Sequence, residues 1–153
     1  GFENIRIKGS ASTLGIRESR RIIGDYIISA DDVINSRKFS DAIVHLAGFP
    51  MDIHNPSGPG QSVNKTGRPL NSGRYDIPYS CLRPRGLENL LIAGRCISGT
   101  HEAASSYRVM KIALAIGQAA GAAAYLASKQ HCTTRALDAE EIRKHLKRKG
   151  VKL

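Results

Sequence analysis

From Ile112 to Ser128 the chain carries no charged side chain, and Ala113, Gly117, Ala120 and Ala124 recur at helical spacing. A helix with only small side chains on one face can lie close against a neighbour. This predicts a central, packed helix starting near Val109 or Met110. Immediately upstream, Asn89–Ala93 is a short apolar run that stops at Gly94, the pattern of a buried parallel strand. Between Arg95 and Arg108 the residues become small and polar, which predicts a loop. Strand, polar loop and close-packed helix is the layout of α/β nucleotide sites, where ligands sit beyond the carboxyl ends of strands.

Charge narrows the range of partners. There are 23 Lys+Arg against 13 Asp+Glu, a formal net charge of +10, which favours anionic ligands. A free-standing basic module that binds nucleic acid or another polyanion is the alternative this balance allows. Aromatic residues are only 5% and Trp is absent, so base-stacking platforms are poorly supplied and nucleic acid is disfavoured. Cys81, Cys96 and Cys132 are odd in number and widely spaced, which argues against a disulfide framework and for a reduced, cytoplasmic setting. The His and Cys spacing supplies no metal-ligand set, so no metal is expected. The uncharged run is shorter than the roughly 20 residues of a membrane span, and no membrane association is expected. A first residue other than Met, with no signal peptide behind it, suggests a cut or processed piece.

Earlier in the chain, Arg17-Glu18-Ser19-Arg20-Arg21 leads into Ile22–Ile28, whose β-branched residues predict a strand buried on both faces. The charge cluster has two readings: a solvated strand end with Glu18 paired to an arginine, or an arginine clamp for an anion. Ser29 and Asp32 predict a capping box on a short helix ending near Ser36, with Ile28 and Val33 as its staple. Phe39–Ala47 predicts a strand or short helix, residues 56–74 a long loop, and Tyr75–Tyr79 extended chain. Asp138 caps a last helix that Gly150 stops, with Leu137 and Ile142 flanking its start.

His101-Glu102 and Arg108 lie at the expected mouth of the central strand, and Arg108 and Lys111 bracket the helix start, whose free N–H groups favour a negative atom. Here a resemblance emerges. Asn89-Leu-Leu-Ile-Ala-Gly-Arg-Cys-Ile-Ser, His101-Glu-Ala, Ser106, Arg108-Val-Met and Gly117-Gln-Ala-Ala-Gly121 resemble the C-terminal end of the FAD-dependent oxidoreductase family. Gly15-Ile-Arg-Glu-Ser-Arg-Arg-Ile-Ile-Gly24, Met51-Asp-Ile-His54 and Ile77-Pro-Tyr are also similar to it, so the resemblance covers roughly residues 13–128. A more distant similarity runs to the tail of succinate dehydrogenase and fumarate reductase flavoproteins.

The resemblance implies FAD as cofactor, with hydride passing between substrate and flavin N5. It implies an α/β fold with residues 1–79 in a mixed β substrate or cap region and 80–130 as the last strand, loop and helix of a Rossmann-like FAD-binding domain; residues 131–153 follow as the helix capped by Asp138. By the same implication His101 and Arg108 are catalytic, while Gly94, Arg95, Ser98, Thr100, Met110 and Lys111 face the cofactor. Arg17, Arg20, Arg21 and His54 would hold an anionic or polar small-molecule substrate. The family's G-x-G-x-x-G is absent from the sequence. The expected partner is therefore the missing N-terminal part of the same protein, and the piece alone is expected to be inactive and to self-associate through uncovered surface.

Overall fold

The computed structural model describes residues 1–53 and 73–153, so His54 and most of the long loop lie outside the described residues. Three helical features carry the architecture. A capped short helix α1 spans Ala30–Ile34, a long helix α3 spans Met110–Gln130, and a C-terminal helix α4 spans Ala139–Arg148. A fourth, α2, covers His101–Tyr107. A two-stranded antiparallel sheet, β1 (Ala42–Ala47) with β2 (Tyr75–Pro78), is the only sheet among the described residues.

The α1 cap forms as the sequence requires. The Ser29 hydroxyl accepts from the Asp32 N–H while Asp32 Oδ2 accepts from the Ser29 N–H at 2.8 Å. Asp32 is buried, and it also takes hydrogen bonds from the Tyr26 hydroxyl at 2.8 Å and Arg37 at 2.9 Å. Burial pushes the Tyr26 phenol up to about 12, and the carboxylate beside it adds to the shift. Ile28 and Val33, the expected staple, are both fully buried in one core cluster.

Phe39–Ala47 resolves into β1, which pairs with β2 through Ala42–Pro78, Val44–Ile77 and Ala47–Tyr75, with irregular register between each pair. Leu46 takes a φ of 54°, and the carboxylate of buried Asp76 accepts its N–H at 3.1 Å. The irregular strand turns toward an internal acceptor instead of continuing the ladder.

Ile22–Ile28 departs from expectation. It makes only isolated bridges, at Gly24 with Pro84 and at Ile28 with Gly99, and Ile23 and Ile27 are exposed. The segment crosses the core edge instead of entering a sheet, and two glycines permit the crossing. A Cβ at Gly24 would stand 2.8 Å from Ser98 Cβ, and one at Gly99 would stand 2.7 Å from the Tyr107 hydroxyl. Asn89–Ala93 likewise forms no strand. Ile92 donates to the Leu82 carbonyl at 2.8 Å, and the run leads into a 3₁₀ turn at Gly94–Cys96. A parallel strand needs neighbours on its edges to satisfy its backbone, and the described residues supply none there. The architecture is thus mixed helix and small sheet, consistent with α/β.

Part of the expected loop at 95–108 is helical. Thr100 accepts the Ala103 N–H and starts α2, whose residues Ala103–Tyr107 are buried. The central helix α3 begins at Met110 with Val109 as its N-cap, as the sequence indicated. Its packing face is rotated away from the expected one. Ile112, Ile116, Ala119, Ala123, Leu126 and Ala127 are buried, whereas a Cβ at Gly117 or Gly121 would meet nothing within 4 Å. Ile112, Ile116 and Leu126 share the core with Ala119, Ala123 and Ala127, while of the expected face Gly117 and Ala124 are exposed, Ala113 is half-buried and Ala120 packs against the core. By length and composition alone α3 could cross a membrane, with a mean hydropathy of 1.3, but its Ile/Leu face is part of the core. On α4, Asp138 accepts the Glu140 N–H at 2.9 Å, Leu137 and Ile142 are buried, and Gly150 follows the helix at a φ of 82°.

Candidate active site

An open cleft of about 550 Å³ is lined by Arg17, Glu18, Ser19, Arg21, Asp52, Ile53, His101 and Arg108. Three stretches far apart in sequence build it: the irregular N-terminal segment, the end of the chain before residue 54, and α2. His101 and Arg108 are seven positions apart, two helical turns, which puts both on the same side of α2 and its C-cap. The crossing at Gly24 and Ile28 brings residues 17–21 against that side.

Glu18 is the hub. His101 Nδ1 lies 2.7 Å from its Oε1, Arg108 Nη1 donates to its Oε2 at 3.2 Å, and Arg21 Nη1 makes a very close bond to Oε1. The Glu18 side chain is only 15% exposed. Burial works against its charge, yet hydrogen bonding and attraction from His101 and Arg21 outweigh that and hold the carboxyl below its ordinary range. The guanidinium groups are fixed further by backbone. Arg108 Nη2 donates to the Asp52 carbonyl at 2.7 Å and Arg21 Nε to the Gly99 carbonyl at 2.9 Å. The Asp52 carboxylate lies 3.5 Å from Arg17 and 3.7 Å from Arg108.

Of the expected substrate residues, Arg17 and Arg21 reach the cleft, together with both expected catalytic residues. Arg20 does not. It lines a smaller adjoining hollow with Arg95 and Cys96. His54 lies outside the described residues. Glu18 does pair with an arginine, Arg21, but no strand follows at Ile22–Ile28 and the carboxylate is largely buried, while Arg17 and Arg21 line the cleft. What the sequence did not show is that the same carboxylate reaches His101 and Arg108. The one available signal was that Glu18 is the sole acid inside the Arg17–Arg21 cluster.

The residues expected to face the cofactor are dispersed. Gly94 takes a φ of 78° with open space where a Cβ would stand, and Arg95 Nη1 donates to the Ile16 and Arg17 carbonyls at 2.7 and 3.1 Å. Ser98 is fully buried and its hydroxyl has no hydrogen-bond partner among the described residues, while the Thr100 hydroxyl caps α2. Met110 is 83% exposed, and Lys111 Nζ stands 5.9 Å above the Phe49 ring. No side chain caps the start of α3. The first N–H groups of a helix have no acceptor within it, so this end offers Met110 and Lys111 donors to an external anion. These donors, beside an exposed lysine, fit the electronegative edge of a flavin.

The model of a family described as FAD dependent oxidoreductase matches residues 1–146. The chain therefore belongs to the FAD-dependent oxidoreductase family, whose cofactor is FAD. No curated protein and no solved structure matches the chain.

Proposed function

We propose that this chain supplies the substrate side and one cofactor-facing helix end of an FAD-dependent oxidoreductase acting on a small anionic or polar substrate. The observation that carries this reading is the convergence of Arg17, Arg21, Arg108 and His101 on one open cleft. Three guanidinium groups face two carboxylates there, leaving one positive charge over with His101 neutral. Arginine's planar fork suits a carboxylate, and its neighbours hold each fork in place before a ligand arrives. Bound flavin supplies the chemistry of accepting and returning an electron pair. The chain's own groups bind and orient the substrate and place His101 within reach of it.

Residues 80–130 act, on this reading, as the edge of a Rossmann-like FAD-binding domain. The pyrophosphate is held by a segment carrying the glycine fingerprint that these residues lack. The outward face of α3 supports this, because Met110, Leu114 and Tyr125 are 83%, 74% and 53% exposed on a helix whose glycines meet open space. Such a face invites cover by the rest of the domain, or self-association where it is left open. The start of α3 is proposed to lie near the flavin O2/N1 edge, where its dipole and Lys111 favour negative charge.

Two measurements test this. The visible spectrum of the protein after incubation with FAD should show a protein-bound flavin band once the pyrophosphate-binding segment is present, and no band would refute the function. In that holoenzyme Lys111→Ala should lower the flavin midpoint potential, whereas an unchanged midpoint removes the start of α3 from the flavin.

A further inference from the structure

Glu18 gathers donors from both ends of α2 and from its own segment. Its Oε2 accepts from Arg108 at 3.2 Å, while its Oε1 is shared by Arg21 and, at 2.7 Å, by His101 Nδ1. A carboxylate that accepts from two guanidinium groups is an ionised acceptor and has no proton to give. The hydrogen on the His101 contact therefore belongs to the imidazole. In its neutral form the ring carries that hydrogen on Nδ1, and Nε2 holds a lone pair.

From this geometry we infer that Glu18 is a positioning residue: it holds neutral His101 in the Nδ1–H form, so that the nitrogen offered to the cleft is a proton acceptor. The inference rests on the cleft being the substrate side. Histidine side chains free in water favour the opposite, Nε2–H tautomer, and the His101 side chain is 57% exposed, so solvent alone would leave that preference in force. The arrangement follows a general design in which a carboxylate fixes one ring nitrogen so that the other acts. Glu18 itself touches no substrate in this scheme. It sets the tautomer of His101 and the forks of Arg21 and Arg108 with one group.

Long-range ¹H–¹⁵N correlation spectra of the ¹⁵N-labelled chain at alkaline pH, where imidazole is neutral, read the tautomer directly. His101→Gln assigns the resonances by their disappearance. The wild-type chain should show His101 as Nδ1–H, and Glu18→Gln should shift it to the Nε2–H form, because a glutamine amide can donate to Nδ1. Glu18→Asp, which keeps the charge, should retain the Nδ1–H form. His45 Nδ1 lies 3.2 Å from Asp76 and serves as an internal control whose spectrum should not change in any of these variants. Nε2–H in the wild type, an unchanged tautomer in Glu18→Gln, or a Glu18→Asp spectrum like that of Glu18→Gln would each overturn the inference. A Glu18 that only tied residues 17–21 to α2 would alter thermal stability and leave the tautomer at its solution preference. None of these readouts needs bound flavin or turnover, so a failure here is distinct from a failure of the flavoprotein assignment.

Discussion

Two of the arginine–carboxylate networks among the described residues use the same chemistry for different ends. Around Asp25, Arg83 Nε lies at 2.9 Å and Arg135 Nη1 at 2.6 Å. Arg135 also donates to the Pro84 and Leu87 carbonyls at 2.8 and 3.0 Å and reaches Glu88 at 3.2 Å. Arg83 stacks over Tyr79, whose buried hydroxyl donates to the Thr134 carbonyl at 2.7 Å. Two guanidinium groups meet two carboxylates, and none of these residues lines the cleft. This network is balanced in charge, although Arg83 Nε approaches Asp25 without completing a hydrogen bond, and it fastens the 131–137 connection to the turn after Arg83. The Glu18 network shares its carboxylate among three donors, leaves a positive charge over, and opens onto solvent. A surplus of positive charge beside an opening favours an anionic ligand, as proposed for the cleft, whereas a charge-balanced set away from it fits a fastening.

The contrast predicts opposite responses to mutation. The largest expected effect is on the fastening. Asp25→Ala removes the carboxylate shared by two guanidinium groups and should lower unfolding stability by about 2 kcal/mol, the scale of hydrogen bonds to charged groups, while acetate binding in the cleft stays unchanged. Denaturant unfolding alongside an acetate titration monitored by NMR reads both. Next comes Arg108→Ala, expected to weaken acetate about tenfold, about 1.4 kcal/mol, with a smaller fall in Tm than Asp25→Ala. A variant pair behaving the other way round would erase the distinction between the networks.

A third test uses pH. The Glu18 carboxyl lies below the ordinary value of 4.5 in the folded chain, because burial is outweighed by His101 and Arg21. A depressed value stabilises the fold above the unfolded-state value, and that contribution is lost as pH falls through the folded one. The stability gap between wild type and Glu18→Gln should therefore be widest near neutral pH and should close below about pH 4.5. Denaturant curves taken at several acidic pH values decide this, and a constant gap would mean Glu18 gains nothing from its partners. The smallest effect is expected at Arg20, exposed and outside the cleft. Arg20→Ala should change stability by no more than about 0.5 kcal/mol and leave acetate affinity as it was, and a loss comparable to that of Arg108→Ala would extend the clamp to all three arginines.

Local elements were legible wherever the information is local. The capping box at Ser29 and Asp32, the start of α3 at Met110, the cap at Asp138 and the stop at Gly150 all involve residues within one or two turns of each other. Family membership was legible too, since several spaced motifs lie along the chain in one order. The apolar runs were misread where their meaning depends on neighbours. Ile22–Ile28 and Asn89–Ala93 have strand composition, but strands exist only by pairing, and the described residues give them bridges or bonds to loops. The small-residue face of α3 was expected inward because close approach needs small side chains. The buried stripe is instead the one that carries Ile112, Ile116 and Leu126 with three alanines, and Leu114 stays exposed.

By itself the sequence determined the caps, the long uncharged helix, the surplus of positive charge and the family these residues belong to. Only the tertiary structure decided that Glu18, rather than any arginine beside it, gathers Arg21, His101 and Arg108 at the cleft. Glu18 and Arg108 are 90 positions apart, and their contact depends on Gly24 and Gly99 letting the N-terminal segment cross close to Ser98 and Tyr107. Local sequence fixes the backbone within a turn or two. Which charges meet is settled by how distant segments pack, because a carboxylate taken out of water needs partners and accepts those the fold brings to it.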